Sequence, residues 1–153
     1  DNTATNLLIR RLGMAEINQR IQSLGLKSTE LTRLLFDAKA QDKGLENRVS
    51  AEDMGLLLSL LYDGKLVNTQ ASNQMLNILK NQRLNGKMPF FLYGVPIAHK
   101  TGEDDGISHD VGIVYASEPF VVCFLSEETD VPSFERWIQD TTFLLANASS
   151  HKK

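Results

Sequence analysis

The sequence predicts an α+β fold: a helical region, then a three-stranded antiparallel sheet backed by a C-terminal helix. In the first half of the chain, apolar residues recur at the spacing of one helix face. Three apolar runs bounded by turn residues then predict strands at about 96–102, 109–116 and 119–126. A last apolar period, from Ser133 to about Ala146, predicts a helix whose residues Phe134, Trp137, Ile138, Phe143 and Leu144 face the sheet.

Length and charge exclude several classes of function. The chain has 153 residues, enough for a real core, and a net charge of -3, which gives no basic surface for nucleic acid. No apolar run reaches the roughly 20 residues that span a bilayer.

Capping signals divide the first half into four helices. A helix ends before Gly13, a second before Gly25, and a third begins after Ser50, whose hydroxyl suits an N-cap. The expected spans are Thr3 to Leu12, Met14 to Leu24, from Ser50 to about Tyr62, and Thr69 to Gln82. The first two helices form a hairpin.

In the segment 28–49, the apolar residues do not repeat at the spacing of a helix or a strand. The segment mixes Leu34, Leu35 and Phe36 with charged residues and glycine. Long segments without regular structure are usually functional, so we expect a functional loop with at most a short helical turn.

The triplet Lys100-Thr101-Gly102 ends the first predicted strand. Lysine can fix an anionic group as a point charge, threonine can donate a hydrogen bond, and glycine lets a ligand approach the backbone. Glu103-Asp104-Asp105-Gly106 then supplies turn residues that lead into the next strand. Such a triplet is also common at ordinary strand ends.

The start of the chain adds a second motif. Asp1-Asn2 resembles the end of Ser-Asp-Asn, which class A β-lactamases and penicillin-binding D,D-peptidases combine with Ser-x-x-Lys and Lys-Thr-Gly. The two motifs stand in the family's order, and the Leu31-Thr32-Arg33 loop, the helices and the strands between and after them fit as well. The chain therefore resembles the C-terminal portion of such a serine hydrolase over nearly its whole length.

The resemblance implies roles on the Lys100 strand. Lys100 would set the electrostatics of the pocket and anchor the substrate carboxylate, to which Thr101 would add a hydroxyl. Since strand alternation points Thr101 away from Lys100, this role needs an edge strand beside the cleft. Gly102 keeps the approach open, and the backbone amide of Glu103 is one oxyanion donor.

The resemblance also implies roles for the first two residues. Asn2 would contact the amide side chain of the substrate. Asp1 would be structural, buried and hydrogen-bonded within the motif loop. The plainer alternative is that both residues cap the first helix.

The departures concern the nucleophile and the deacylating base. Ser-x-x-Lys is missing before Asp1-Asn2, where the family carries it, and that spacing occurs only in the tail Ser149-Ser150-His151-Lys152-Lys153. This chain alone is therefore expected to be inactive. Class A enzymes carry a loop glutamate that activates the deacylating water; here Asp37 is the candidate substitute, and a cap or surface charge is the alternative.

Other reactive side chains are interpreted structurally. Cys123 lies within an apolar run and is expected to pack in the core. The spacing of His99, His109 and His151 does not predict a metal site. We expect no metal and no cofactor.

The chain is expected to be a single partial domain, 1–153, with a mostly helical region 1–95 that contains the active-site loop 28–49, and a region 96–147 of strands and the last helix. Two functions are consistent with it. One is part of a penicillin-recognising acyl-transfer enzyme acting on β-lactams or D-Ala-D-Ala-type peptides outside the cytoplasmic membrane. The alternative is a noncatalytic module that binds or senses peptidoglycan fragments or β-lactams.

The expected partners are a β-lactam or cell-wall peptide and an N-terminal segment of the same protein. A fragment lacking that segment would expose an unpaired strand edge and apolar surface, and would tend to aggregate.

Overall fold

The computed structural model describes residues 1–148 and confirms the α+β class. The helices in this range are α1 (Asn2–Leu12), α2 (Met14–Ser23), α3 (Ala38–Gln41), α4 (Ala51–Tyr62), α5 (Thr69–Lys80) and α6 (Val131–Ala148). The strands are β1 (Ile97–Asp104), β2 (Ile107–Val114) and β3 (Phe120–Phe124). The tail from Ser149 to Lys153 lies outside the described residues. None of the helices in 1–148 is long and apolar enough to cross a membrane.

The contacts divide the chain into two units, Asp1–Asp53 and the part from Met54 onward. In the first unit, α1 and α2 contact each other and are joined at Gly13, whose φ of 87° favours glycine. The loop after α2 contains the four-residue helix α3 and is closed by an antiparallel bridge between Glu30 and Arg48. The expected long loop with one helical turn is confirmed.

In the second unit, the sheet has the order β1-β2-β3 with both pairs antiparallel. Glu103 and Asp104 belong to β1 and pair with Ser108 and Ile107, so the turn is tighter than expected. Only Asp105 and Gly106 connect the two strands, and Gly106 has a φ of 64°.

Side chains alternate between the two faces of this sheet. One face packs against α6 through an apolar cluster of Met88, Leu92, Ile97, Val114, Phe124, Ile138 and Ala146. The other face packs against α4 and α5 through Leu58, Leu61, Leu76, Ala98 and Ile113. Toward the β1–β2 turn, the α6 side of the sheet becomes polar, with His99, Thr101, Ser108 and Asp110 buried there.

Helix α6 corrects two expectations. It begins at Val131, because the carboxylate of Asp130 rather than the hydroxyl of Ser133 accepts a first-turn amide, that of Ser133, at 3.1 Å. Its buried residues are Ile138, Thr142 and Ala146, with Phe134 partly buried beside them. This stripe repeats every four residues, and Phe143 and Leu144 lie beside it, 42% and 66% exposed. Trp137 is 54% exposed, but its ring still contacts Phe124 of β3, with 5.4 Å between the ring centroids.

Candidate active site

Strand β1 has an open edge within residues 1–148, since β2 is its sheet neighbour on one side and no strand pairs on the other. The N–H of Tyr115 donates to the carbonyl of Pro96 at 3.0 Å, and the register continues from this pair to Gly102 and His109. Backbone groups in an antiparallel strand point alternately toward and away from the neighbour. The even-numbered residues of β1 therefore turn their N–H and C=O toward β2, whereas Thr101 and Glu103 turn theirs to the open edge.

Lys100 is exposed, and its Nζ donates to the outward carbonyl of Thr101 at 2.5 Å. The ammonium is thus held at the open edge of β1. The Thr101 side chain is buried on the opposite face, as strand alternation requires, and is 7% exposed. Thr101 thus lies on an edge strand, which its expected contact with the substrate carboxylate requires.

Gly102 makes room for a histidine. A Cβ at this position would lie 3.3 Å from the Cβ and Cδ2 atoms of His109, which is tighter than most real contacts. The side chain of His109 therefore covers the place where a larger residue 102 would project. A ligand approaching from that side meets the imidazole of His109 as well as the backbone of Gly102.

The environment of His109 fixes its protonation. Burial lowers the pKa of His109 and the nearby Lys87 charge lowers it further, which together outweigh a hydrogen bond with the Ser108 backbone that raises it. Its Nδ1 accepts from the backbone N–H of Ser126 at 3.1 Å, so in the neutral ring Nε2 carries the proton. His109 is thus a neutral side chain with one N–H to donate, located beside the Lys-Thr-Gly strand.

A second histidine lies beneath the strand. His99 Nδ1 is 2.8 Å from Asp110 Oδ1, and the two side chains are 1% and 0% exposed. The other Asp110 oxygen accepts from the N–H of Met88 at 3.1 Å. The pair ties β1, β2 and the connector before β1 together, so His99 is a buried, hydrogen-bonded residue rather than a free base.

In the first unit, Asp1 caps α1. Its Oδ1 accepts from the N–H groups of Thr3 and Ala4 at 2.8 and 3.1 Å. Asp1 is hydrogen-bonded as expected, but it is exposed rather than buried, because it reaches these amides from outside the helix. Asn2 is the first residue of α1 and is exposed as well.

Asp37 lies in the long loop and caps α3, where its Oδ1 accepts from the N–H of Ala40 at 3.1 Å. The residue before it, Phe36, has a φ of 61° and is 82% exposed. Positive φ is costly for a bulky residue and is concentrated at functional segments. Leu35 is fixed on both sides by Asn6, which accepts from its N–H at 2.9 Å and donates to its C=O at 3.0 Å.

The base of the same loop is tied by three further side chains. Asn47 Oδ1 accepts from the N–H groups of Thr32 and Arg33, and Asn47 Nδ2 donates to the carbonyl of Arg33. Asn18 makes two bonds to the backbone of Leu31. Asp53 accepts from the N–H groups of Lys27 and Ser28 and from the Thr29 hydroxyl.

Arg33 adds an ion pair to Glu46 at 2.6 Å, with side-chain exposures of 12% and 43%. The segment from Leu26 to Ser50 is therefore tied to its surroundings by side chains along most of its length.

Cys123 is partly buried and packs against the cluster on the α4 and α5 side. Burial raises the pKa of its thiol to about 11. Since the thiolate is the reactive form, this supports a packing role.

The structure brings Lys100, Thr101, Gly102 and Glu103 together on one strand of the second unit. Asp1, Asn2 and Asp37 lie in the first unit. The sequence did not indicate the roles of Asn6 on α1, Asn18 on α2, Asn47 in the loop and Asp53 on α4, all of which bond to the loop, or of Lys87 behind the β1–β2 hairpin. Of these only Asn6 carried a signal, because it lies one helical turn after Asn2.

The fold and this edge strand are those of a serine hydrolase family. A family model described as the beta-lactamase enzyme family matches residues 1–147, and the chain belongs to that family. Among curated proteins, none matches significantly.

Solved structures with a similar fold agree with this family assignment. A beta-lactamase from Sphaerobacter thermophilus is 28% identical with a TM-score of 0.86, and the match covers 98% of this chain and 59% of that one. PBP-A is also 28% identical with a TM-score of 0.86, over 98% of this chain and 57% of PBP-A. An L158E mutant of PBP-A, described as an acyl-enzyme complex with penicillin G, matches with 28% identity and a TM-score of 0.87, over 98% and 57% of the two chains. This chain thus spans somewhat more than half the length of these proteins.

Proposed function

We propose that this chain supplies the Asp-Asn end of the Ser-Asp-Asn motif and the Lys-Thr-Gly motif of an acyl-transfer site that acts on β-lactams or D-Ala-D-Ala-type peptides. The observation that carries the proposal is the open edge of β1, where Lys100 Nζ and the outward N–H of Glu103 lie on the same side of one strand. The nucleophile comes from a further segment of a longer polypeptide.

Each group has one task in this mechanism. The Lys100 charge attracts the substrate carboxylate and holds it beside the strand. Thr101 adds a hydrogen bond to the same carboxylate. Gly102 has no side chain, so the backbone next to His109 stays accessible to the substrate. When a serine attacks the substrate carbonyl, negative charge develops on its oxygen, and the N–H of Glu103 donates to that oxygen.

Asn2 binds the substrate amide in this proposal, and Asp1 orders the turn that presents Asn2. Asp37 is the candidate base for deacylation. Its Oδ1 already accepts the α3 cap bond, which ties the carboxylate to the loop, so we expect a slow second step. A long-lived acyl-enzyme follows.

The test is intact-mass spectrometry after incubation with a fluorescent penicillin, on this chain and on the longer polypeptide. We expect a covalent adduct on a serine of the longer polypeptide and none on this chain, because residues 1–148 contain no Ser-x-x-Lys. Slow loss of the adduct would support the weak deacylation assigned to Asp37. Binding without an adduct on either protein would favour the noncatalytic sensor. Surface labelling of intact cells with the same reagent tests the location outside the cytoplasmic membrane.

A further inference from the structure

Lys87 is a buried lysine with an unusual set of partners. It is only 4% exposed, although it lies in the connector before β1. Its Nζ is 3.1 Å from Glu103 Oε1 and 3.6 Å from Glu135 Oε1. It also donates to two backbone carbonyls, those of Gly102 at 3.4 Å and His109 at 3.3 Å.

The two carbonyls belong to partner residues on neighbouring strands, Gly102 on β1 and His109 on β2. The Lys87 ammonium can reach both carbonyl oxygens only if both carbonyls point into the gap between β1 and β2. This agrees with the alternation fixed by the Pro96 and Tyr115 pair.

The carbonyl of Gly102 and the N–H of Glu103 are the two ends of one peptide group. The described residues contain no cis peptide, so these two ends point in opposite directions. Lys87 therefore binds the carbonyl end on the β2 side, while the N–H end faces the open edge of β1. A positive charge on a peptide oxygen draws electron density away from the nitrogen and makes its N–H a stronger donor.

We propose that Lys87 is a positioning residue that orients and polarises the Gly102–Glu103 peptide, so that the Glu103 N–H better stabilises negative charge formed at the open edge. The inference rests on the proposed function, in which that N–H is an oxyanion donor. Lys87 acts through the peptide and does not touch the substrate.

The two carboxylates hold the lysine in place and also partly neutralise it. Glu135 reaches Lys87 from α6 and accepts from the Ser108 hydroxyl at 2.8 Å, so it is tied into the same network. If Lys87 acts electrostatically, removing the Glu135 charge leaves more of the lysine charge acting on the peptide. If Lys87 is only a structural link, removing the Glu135 charge weakens the link and lowers activity.

The experiment uses the longer polypeptide and three variants. Lys87→Met removes the charge and keeps the length of the side chain. Glu135→Gln removes one counter-charge and keeps a hydrogen-bonding group. Lys65→Met is the matched control, since Lys65 is an exposed lysine paired with Asp63 at 2.7 Å. The rate of acylation by penicillin G, the carbonyl stretching frequency of the acyl-enzyme and the melting temperature are measured for each.

We expect Lys87→Met to slow acylation about tenfold, a partial loss of what one oxyanion donor contributes. Its acyl carbonyl should absorb at a higher frequency, because a weaker hydrogen bond leaves the carbonyl less polarised. Glu135→Gln should acylate at the wild-type rate or faster even if it melts lower, and Lys65→Met should match the wild type.

Two results would overturn the inference. One is wild-type acylation and carbonyl frequency in folded Lys87→Met. The other is slower acylation in Glu135→Gln in step with its loss of stability, and this variant decides the question if Lys87→Met does not fold. Failure of the wild-type polypeptide itself to acylate is a separate outcome, which removes the proposed function and this inference with it.

Discussion

The long loop of the first unit and the β1–β2 hairpin of the second unit are fixed by different chemistry. The loop is held mainly by the short side chains of Asn6, Asn18 and Asn47, which bond directly to backbone groups. The hairpin is held by buried charged and titratable groups, Lys87 with its carboxylates and the His99–Asp110 pair.

The difference shows how each region responds to its surroundings. Neutral amide bonds to the backbone respond little to salt and to pH, so these anchors of the loop should hold over a wide range of both. Buried charges set an electric field as well as a shape, but they are costly if one partner is lost. The hairpin is therefore the region where a single substitution changes both stability and chemistry.

The largest effect should come from Asp110→Ala. It leaves His99 Nδ1 and the N–H of Met88 without their acceptor in a site that excludes water. We expect a loss of about 3–5 kcal/mol in the free energy of unfolding, measured by urea denaturation. Asp110→Asn is the control because its oxygen can still accept one of these bonds, and it should lose less. Equal losses in both variants would contradict the assignment.

In the loop, Asn47→Ala should have the next largest effect. It removes three hydrogen bonds to the backbone of Thr32 and Arg33. The expected loss is about 2–3 kcal/mol in the same urea measurement, and it should be the same at low and high salt. Asn47→Asp retains the acceptor and should fall between the wild type and Asn47→Ala. A strong dependence on salt would show that charges, not amides, hold the loop.

Among the residues that hold the loop, Asp53 of α4 is the exception, because it is a carboxylate. Burial raises its pKa, but the hydrogen bonds from Thr29, Ser28 and Lys27 outweigh this and lower the pKa below its usual 3.8. A lowered pKa means that the carboxylate stabilises the fold above the pKa of the unfolded state and that this contribution is lost as the pH falls through the lower, folded pKa.

The melting temperature of the wild type should therefore drop more steeply than that of Asp53→Asn between neutral and acidic pH. Parallel curves for the two proteins would refute this.

The smallest effect belongs to the Arg33–Glu46 ion pair, since the Glu46 side chain is 43% exposed and solvent screens its charge. Glu46→Gln should cost only about 0.5 kcal/mol and should lose even that in high salt. Urea curves at two salt concentrations measure it. A loss as large as that of Asn47→Ala would mean that the ion pair rather than the amides closes the loop.

Much of the fold followed from the sequence, because apolar periods and capping residues are local. The strands and the order of the helices were predicted within a few residues, and the Ser50 hydroxyl caps α4 as expected, accepting from the N–H of Asp53 at 3.1 Å. On α6, Ile138 and Phe134 face the core as predicted, but Phe143 and Leu144 were assigned there by size, whereas Thr142 and Ala146 are the buried residues of that part of the helix.

The candidate site was predicted only where a motif marks it. Lys100-Thr101-Gly102 is contiguous, so its place on the edge strand could be read directly. Lys87 could not be found, because its partners lie 15 or more residues away and a lone lysine in an irregular connector has no periodic signature. The same holds for Asn47, whose role depends on a loop closure that only the folded chain reveals.

The alternating directions of the backbone groups along β1 determine where the hairpin can be lengthened. The direction of the Glu103 amide is set at the far end of the hairpin, where Pro96 meets Tyr115. Residues added at Asp105 and Gly106 lengthen the turn without altering the register that precedes it. The turn can therefore accept a grafted peptide or a reporter tag, whereas a one-residue insertion between Pro96 and Glu103 would rotate the Glu103 amide into the sheet.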